Sequence, residues 1–286
     1  MKYLITGSNG QLGRALQNEF KGTKNDIFCY GVDTMDITDY NSVMSTFNSI
    51  NPDVVFNCAA HTNVDKCEED VENAFKINAI GVQNIAMACE KTGAKLVHIS
   101  TDYVFSGKDE LPRIESDAVA PQTIYGKSKL YGEKLALRYC YKAFIVRTAW
   151  LYGDGNNFVR TMLKLSKAND RLTVVGDQFG SPTYTKDLAR AIIELSKTDY
   201  YGLYHGTCQG SCSWYDFAKK IFEIKNINID VKKVTSSEFV RPAKRPAYSI
   251  LDNFMLRLRG LDSFRDWEDA LADYLVEDKN WQEENL

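Results

Sequence analysis

The sequence predicts an α/β protein, a Rossmann-type doubly wound parallel sheet with a smaller, mixed C-terminal part. Short apolar runs that fit buried strands alternate with segments of helical periodicity up to about residue 150. A glycine-rich turn directly follows the first apolar run and opens the first helical segment. Strands that alternate with helices form right-handed βαβ units, and such units build a parallel sheet.

The same patterns give the individual elements. Strands are predicted over residues 2–6, 26–32, 53–58, 95–100 and 143–147. The helices between them are predicted over residues 12–20, 40–50, 71–92 and 125–140. Later helices are predicted over residues 156–168, 185–198, 214–222 and 266–276. We therefore expect a Rossmann domain over 1–150 and a second part over 151–286, some segments of which return to the sheet.

Composition and charge exclude several classes of protein. The net charge is −3 and no Lys/Arg cluster occurs, so neither a nucleic-acid partner nor an anionic membrane surface is expected. No apolar segment reaches membrane-spanning length, and no secretory signal precedes the first strand. Seven scattered cysteines form no CxxC pair, and the three histidines lack metal-site spacing. We expect a cytoplasmic protein with reduced thiols and no metal.

The glycine-rich turn predicts a dinucleotide site. Glycines stand at positions 7, 10 and 13, after the first strand and at the start of the first helix. Glycine permits a tight turn and a close approach of the backbone to a pyrophosphate, which the helix N-terminus then binds. A purely structural turn is the alternative interpretation. The predicted cofactor-binding residues here are Gly7, Asn9, Gly10, Gln11 and Leu12.

Two carboxylates follow the second predicted strand, at Asp33 and Asp36. An acidic side chain at this place can accept hydrogen bonds from the 2′-hydroxyl of the cofactor's ribose, although both residues also suit a turn or a helix cap. No Lys or Arg occurs between residues 25 and 65, and a 2′-phosphate requires a nearby cation. The prediction is therefore NADH as the preferred donor, with NADPH as an alternative if a cation arrives from elsewhere.

Three residues form a candidate catalytic set. Thr101 ends the fourth predicted strand, at the sheet edge where parallel sheets bind ligands. Tyr125 and Lys129 are one helical turn apart on the next helix, so their side chains share a face. A tyrosine with a pKa of about 10 is a weak acid at neutral pH, and a neighbouring ammonium lowers that pKa. The Tyr-x-x-x-Lys spacing alone is common, but its combination with the glycine turn is specific.

With these motifs the chain resembles the extended short-chain dehydrogenase/reductases and, within them, the dTDP-4-dehydrorhamnose reductase group. The resemblance covers nearly the whole chain. The glycine turn and Tyr-x-x-x-Lys mark only the superfamily. More specific are the segments at residues 61–65, 100–105 and 177–183, among them the run Ser-Thr-Asp-Tyr-Val-Phe.

The resemblance implies an NAD(P)H-dependent enzyme that reduces the C4 ketone of dTDP-4-dehydro-L-rhamnose to dTDP-L-rhamnose, in dTDP-rhamnose and polysaccharide biosynthesis. It implies that Tyr125 donates a proton and that Thr101 binds the ketone oxygen. It also implies that Lys129 lowers the pKa of Tyr125 and holds the nicotinamide ribose. Further cofactor contacts are implied for Asp36, Ile37, Ala59, Ala60, His61 and Thr62. Substrate contacts are implied for Thr62, Val64, Thr101, Asp102, Trp150 and Arg245.

Alternatives remain open at this stage. Trp150 also suits a core position, and Asp102, His61 and Arg245 suit local structural roles. Another nucleotide-sugar reductase, an epimerase, or a non-catalytic NADP-binding regulatory subunit would share the fold. Some members of the group dimerise around a metal through an acidic residue where this chain has Ala15. We therefore expect no metal, and a monomer or weak homodimer.

Overall fold

The computed structural model describes residues 1–239 and 241–277. The strands are β1 Lys2–Thr6, β2 Asp26–Tyr30, β3 Val54–Asn57, β4 Lys95–Thr101, β5 Ala143–Thr148, β6 Leu151–Tyr152, β7 Arg171–Val175, β8 Phe179–Gly180, β9 Thr183–Tyr184, β10 Gly202–His205, β11 Cys212–Ser213, β12 Asp230–Val234 and β13 Tyr248–Ser249. The helices are α1 Gln11–Glu19, α2 Tyr40–Ile50, α3 Val64–Glu69, α4 Val71–Phe75, α5 Val82–Thr92, α6 Ile124–Tyr139, α7 Phe158–Ala168, α8 Thr185–Ser196, α9 Trp214–Ile224, α10 Phe254–Leu258 and α11 Trp267–Glu277.

The main sheet has six strands in the order β10-β5-β4-β3-β1-β2. Every neighbouring pair in it is parallel. The strand order reverses at β1, and ligands of such sheets bind beyond the carboxyl ends of the strands at this switch point. The predicted fold class is confirmed.

Each face of the sheet is covered by helices and has its own apolar core. Leu4, Val55, Leu96 and Ile145 project to one face, where they pack with residues of α2 and α5. Ile5, Phe56 and their neighbours project to the other face and pack with α1 and α8. Because β1, β3, β4 and β5 are buried on both faces, they consist largely of continuous apolar runs.

The first five strands and their helices lie within a few residues of their predicted bounds. The predicted helix over 71–92 is interrupted, because a π-helical turn at Lys76–Gly81 separates α4 from α5. Sequence periodicity did not reveal α3 or β10. Strand β10 is short and pairs with β5, at the edge of the main sheet.

The later part of the chain forms three small sheets, β11-β8-β13, β12-β7 and β6-β9, with the helices α7 to α11. Residues 278–286 lie outside the described residues. Within the described ranges, no helix is both long enough and apolar enough to span a membrane. All seven cysteines are free thiols.

Candidate active site

A cavity of about 1040 Å³ runs along the carboxyl edge of the main sheet, past the ends of β1, β3, β4 and β5. Most of the residues singled out by sequence line it, namely Gly7, Asn9, Gly10, Gln11, Leu12, Asp36, Ile37, Ala59, Ala60, His61, Thr62, Val64, Thr101, Asp102, Tyr125, Lys129 and Trp150. Asp33 is exposed and does not line this cavity, and neither does Arg245. The tertiary structure therefore brings most of the predicted residues together in one continuous site.

The glycine turn is shaped for close contact. Gly7 has a φ of +61°, and a Cβ there would lie 2.7 Å from the Ala59 nitrogen. A Cβ on Gly13 would lie 2.5 Å from the Gly7 oxygen. Gly10 caps α1 without a side chain, so the first N–H groups of the helix are not covered by a capping side chain. These residues fit the pyrophosphate of a dinucleotide, whose negative charge the helix N-terminus stabilises.

At the far end of the cavity, Asp36 is held by Thr38. Its Oδ1 accepts hydrogen bonds from the backbone nitrogen and the Oγ1 of Thr38, both at 2.8 Å. These bonds, together with the charge of Lys76, lower the pKa of Asp36. Lys76 begins the π-helical turn and lines the cavity. A cation from a later segment of the chain thus lies near Asp36.

The cavity-lining loop after β3 is fastened by a buried amide. The Asn78 side chain accepts a hydrogen bond from the His61 nitrogen at 2.8 Å and donates one to the His61 oxygen at 3.0 Å. Its Nδ2 also lies 3.1 Å from Ser128 Oγ, on α6. One side chain thus joins the cofactor loop, the π-helical turn and the helix that carries Tyr125 and Lys129.

Thr101 and Asp102 stand where β4 ends and a 3₁₀ turn begins. Thr101 Oγ1 donates to Asp102 Oδ1 at 2.9 Å. Burial raises the pKa of Asp102 to about 7, against opposing hydrogen bonds that include one from Thr101. Asp102 Oδ2 is buried and has no hydrogen-bond partner within 3.5 Å among the described residues, although the Ser249 hydroxyl is near enough to lower the pKa of this carboxyl. A ligand hydroxyl would satisfy this oxygen.

Tyr125 and Lys129 line the cavity from α6. Burial raises the pKa of Tyr125 above its ordinary value, opposed by a hydrogen bond with Thr101. This direction is opposite to the one expected from a neighbouring ammonium, because burial outweighs the influences that lower the pKa of the phenol. The ammonium of Lys129 donates a hydrogen bond to the Ile99 oxygen at 2.5 Å. Burial lowers the pKa of Lys129 to about 8, opposed by the charge of Glu133. A phenol that stays protonated at neutral pH can donate a proton.

A second cavity, of about 350 Å³, adjoins the first through Tyr103, which lines both. Arg245 and Lys244 line this smaller space. The Arg245 guanidinium lies 2.8 Å from the carboxylate of Asp65, which follows the cofactor loop. Arg245 is thus placed beside the large cavity rather than in it.

Several lining residues were missed by sequence reasoning. Among them are Arg14, Lys76, Asn73, Thr38 and Asn156. Arg14 follows the glycine motif on α1, and Thr38 and Asn156 lie in segments that resemble the reductase group, whereas no sequence pattern pointed to Lys76 or Asn73. Across the described part of the chain, no group of three or more His, Cys, Asp or Glu residues could hold a metal. Ala15 is buried in the apolar core.

Comparison with known proteins places this geometry in a family. The family described as RmlD substrate binding domain matches residues 1–280. The chain belongs to this family. A crystal structure of a dTDP-4-dehydrorhamnose reductase from Clostridium acetobutylicum ATCC 824 is 52% identical, with a TM-score of 0.95 over 96% of this chain and 99% of that one.

Two further relatives of this RmlD-family chain are similar over their full length. The dTDP-4-dehydrorhamnose reductase of Bacillus anthracis str. Ames, solved in complex with NADP, is 45% identical with a TM-score of 0.95, over 96% of this chain and 99% of that one. The spore coat polysaccharide biosynthesis protein SpsK of Bacillus subtilis (strain 168) is 44% identical over 96% of this chain and 97% of its own. The resemblance stated from sequence is confirmed.

Proposed function

We propose that this enzyme reduces the C4 ketone of dTDP-4-dehydro-L-rhamnose to dTDP-L-rhamnose with a nicotinamide donor, a step of dTDP-rhamnose biosynthesis. The observation that carries the proposal is the convergence of Thr101, Tyr125 and Lys129 in a cavity that begins at the glycine turn. Two structural relatives with a TM-score of 0.95 carry the name of this activity. Membership of the RmlD family supports the same activity.

The nicotinamide cofactor supplies a hydride when it is bound. The N–H groups at the start of α1 bind its pyrophosphate, and Asp36 accepts hydrogen bonds from its adenosine ribose. The loop from Ala59 to Thr62 lines the middle of the cavity. NADH is the preferred donor because Asp36 is ionised, and NADPH is accepted because Lys76 stands nearby. The relative from Bacillus anthracis was solved with NADP.

Three residues of the chain carry out the proton transfer to the ketone oxygen. Thr101 holds the ketone oxygen, and Tyr125 donates its phenolic proton to that oxygen as the alkoxide develops. The proton lost by Tyr125 leaves a phenolate, which the ammonium of Lys129 stabilises. Thr101 and Lys129 are buried and Tyr125 is half-buried, so little water competes for these interactions.

The sugar nucleotide occupies the end of the cavity beyond Thr101. The unpaired Asp102 oxygen accepts a hydrogen bond from a sugar hydroxyl, and the Trp150 ring packs against the sugar. Thr62 and Val64 line the passage between donor and substrate. Arg245 approaches the phosphates from the adjoining smaller cavity. The ligand is thus a dTDP-sugar, and specific contacts made by these residues set its orientation.

A second candidate is reduction of a different dTDP-keto sugar. One relative, 39% identical, is named a probable dTDP-4,6-dihydroxy-2-methyloxan-3-one 4-ketoreductase of Streptomyces antibioticus. A non-catalytic regulatory role is disfavoured because Thr101, Tyr125 and Lys129 are all present in one cavity. We further propose a cytoplasmic monomer or weak homodimer, whose Rossmann domain spans 1–150 and whose substrate-binding part spans 151–286.

The test is NADH oxidation, followed by absorbance, with the dTDP-4-keto-6-deoxy-L-sugar generated in situ. Wild type and Tyr125→Phe are compared, with Tyr139→Phe, at the far end of the same helix, as the matched control. Sugar-dependent oxidation that falls by about 10²- to 10⁴-fold in Tyr125→Phe and persists in Tyr139→Phe supports the function. Cofactor binding without oxidation of any donor would contradict it, and turnover of another keto sugar alone would favour the second candidate.

A further inference from the structure

Trp150 combines two features that rarely occur together. Its half-buried side chain lines the large cavity. Its backbone has a φ of +46°, in the left-handed region. A bulky residue is strained there, and such strain persists only where the surrounding contacts determine the conformation. The position of this ring at the cavity therefore depends on the residues that hold it.

Three neighbours fix the indole. The ring of Trp214 stacks on it, with 3.4 Å between ring centroids and 5° between planes. Trp150 Nε1 donates a hydrogen bond to Ser249 Oγ at 3.0 Å. Gly180 lies against the ring edge so closely that a Cβ there would be 2.3 Å from Trp150 Cε2. One face, the N–H and one edge of the ring are thus all constrained.

Trp214 does not itself line the large cavity. It begins α9, and its ring packs on that of Phe158 with 4.5 Å between centroids. Phe158 in turn stacks with Phe217, in the apolar core. The stacked pair is therefore anchored from behind, and because Trp214 covers one face of Trp150, the opposite face is available to the cavity.

We propose that Trp214 and Gly180 are positioning residues for the sugar nucleotide, which act through Trp150. They hold its indole as a rigid wall of the substrate end of the cavity. A preorganised aromatic surface binds more tightly because little side-chain entropy is lost on binding. This inference rests on the proposed function. Loss of the wall weakens substrate binding, and it leaves proton donation by Tyr125 and cofactor binding at the glycine turn intact.

The sharpest test is Gly180→Ala, because the added methyl group displaces the Trp150 ring. We expect the KM of the sugar nucleotide to rise about tenfold, equivalent to about 1.4 kcal/mol of binding. We expect kcat to stay within about threefold and the KM of NADH to be unchanged, since neither depends on the ring. The matched control is Gly176→Ala, whose added Cβ would meet only the flexible side chain of Lys233.

Substitution of Trp214 tests the same wall from its other side. Trp214→Leu removes the stack and is expected to raise the substrate KM about three- to tenfold, whereas Trp214→Phe keeps part of it. Trp267→Phe is the control, because Trp267 contacts Phe217 of the same core with 5.7 Å between ring centroids. Thermal melts show whether each variant is folded, and the substrate KM is compared only among folded variants.

Calorimetric binding of dTDP-L-rhamnose separates the outcomes. Weaker product binding in Gly180→Ala and Trp214→Leu, with unaltered NADH binding, supports the positioning role. If the wild type is active and both variants bind dTDP-L-rhamnose as tightly as the wild type does, the positioning role alone is overturned. The same holds if the variants lose kcat and NADH binding to the same extent as product binding. A wild type that neither reduces the sugar nor binds dTDP-L-rhamnose overturns the proposed function, and the positioning role with it.

Discussion

Glu133 lies one turn beyond Lys129 on α6, and its carboxylate is buried against the Arg147 guanidinium, with Oε2 2.7 Å from Nη2. Its other oxygen accepts a bond from Arg147 Nε at 2.9 Å and a short bond from Ser100 Oγ. Ser100 and Arg147 come from the neighbouring strands β4 and β5. A negative charge is thereby fixed beneath the candidate catalytic lysine, where it raises that lysine's pKa.

The first prediction concerns the pH profile of turnover. Burial lowers the pKa of Lys129 from 10.5 to about 8, so kcat should fall as the pH rises through about 8 and the ammonium is lost. The charge of Glu133 raises this pKa. Glu133→Gln removes that charge, and the fall in kcat should therefore move to lower pH.

The exposed carboxylate of Glu194 on α8 provides the control, because Glu194→Gln should leave the profile in place. Glu133→Gln also leaves the Arg147 guanidinium buried and unpaired, so the free energy of unfolding should fall by about 3–5 kcal/mol. Denaturant melts measure that loss independently. A Glu133→Gln enzyme that is folded and keeps the wild-type pH profile would show that this carboxylate has no influence on Lys129.

The ionised Asp102 carboxylate should lower the stability of the fold and strengthen substrate binding. Burial raises its pKa from 3.8 to about 7, so the folded state binds the proton more tightly and loses stability as the pH rises between these values. Asp102→Asn abolishes that loss. Its melting temperature should exceed that of the wild type at about pH 8, and the difference should shrink as the pH is lowered towards about 4.

The same variant should show a raised KM for the sugar nucleotide, because the amide cannot replace an accepting carboxylate oxygen fully. Thermal melts across the pH range and steady-state kinetics measure the two effects. A difference in melting temperature that does not change with pH would refute the pKa argument. Asp117→Asn, at a half-buried carboxylate on a surface loop, is the control.

Removal of the Asn78 side chain should loosen the cofactor loop. Asn78→Ala leaves the His61 nitrogen and oxygen without their partners, and each lost bond of a buried group costs about 1–3 kcal/mol. The KM of NADH should rise about tenfold or more. Ser128→Ala removes the third bond of Asn78, together with the bond from Ser128 Oγ to the backbone oxygen of Tyr125, and should leave that KM nearly unchanged. Equal effects of the two variants would contradict a role in holding the loop.

Lys76 should determine how well NADPH is accepted. In Lys76→Met the 2′-phosphate loses a nearby cation, so the KM of NADPH should rise about fivefold or more while that of NADH stays constant. The KM ratio of the two donors is the measurement, and it corrects for any general damage to the cavity. A parallel rise for both donors would mean that Lys76 supports the cavity without selecting the phosphate.

Much of the fold was predictable because its signals are local. The apolar runs, the glycine turn and the Tyr-x-x-x-Lys spacing each lie within one strand-helix unit, where backbone geometry determines which side chains share a face. The strand β10 gave no such signal, because it has only four residues and its pairing with β5 joins segments far apart in the chain. The division at residue 150 and the individual roles of the site residues stay predictions.

The sequence by itself determined the parallel α/β sheet, its glycine turn at the switch point, and the placement of Thr101, Tyr125 and Lys129 at one edge. Only the tertiary structure decided which distant residues complete the site. Lys76 lies near Asp36 in the cavity, Arg147 pairs with Glu133, and Trp214 stacks on Trp150. The physical reason is that short-range periodicity specifies strands and helices, whereas charge pairing and ring stacking depend on packing between segments far apart in the chain.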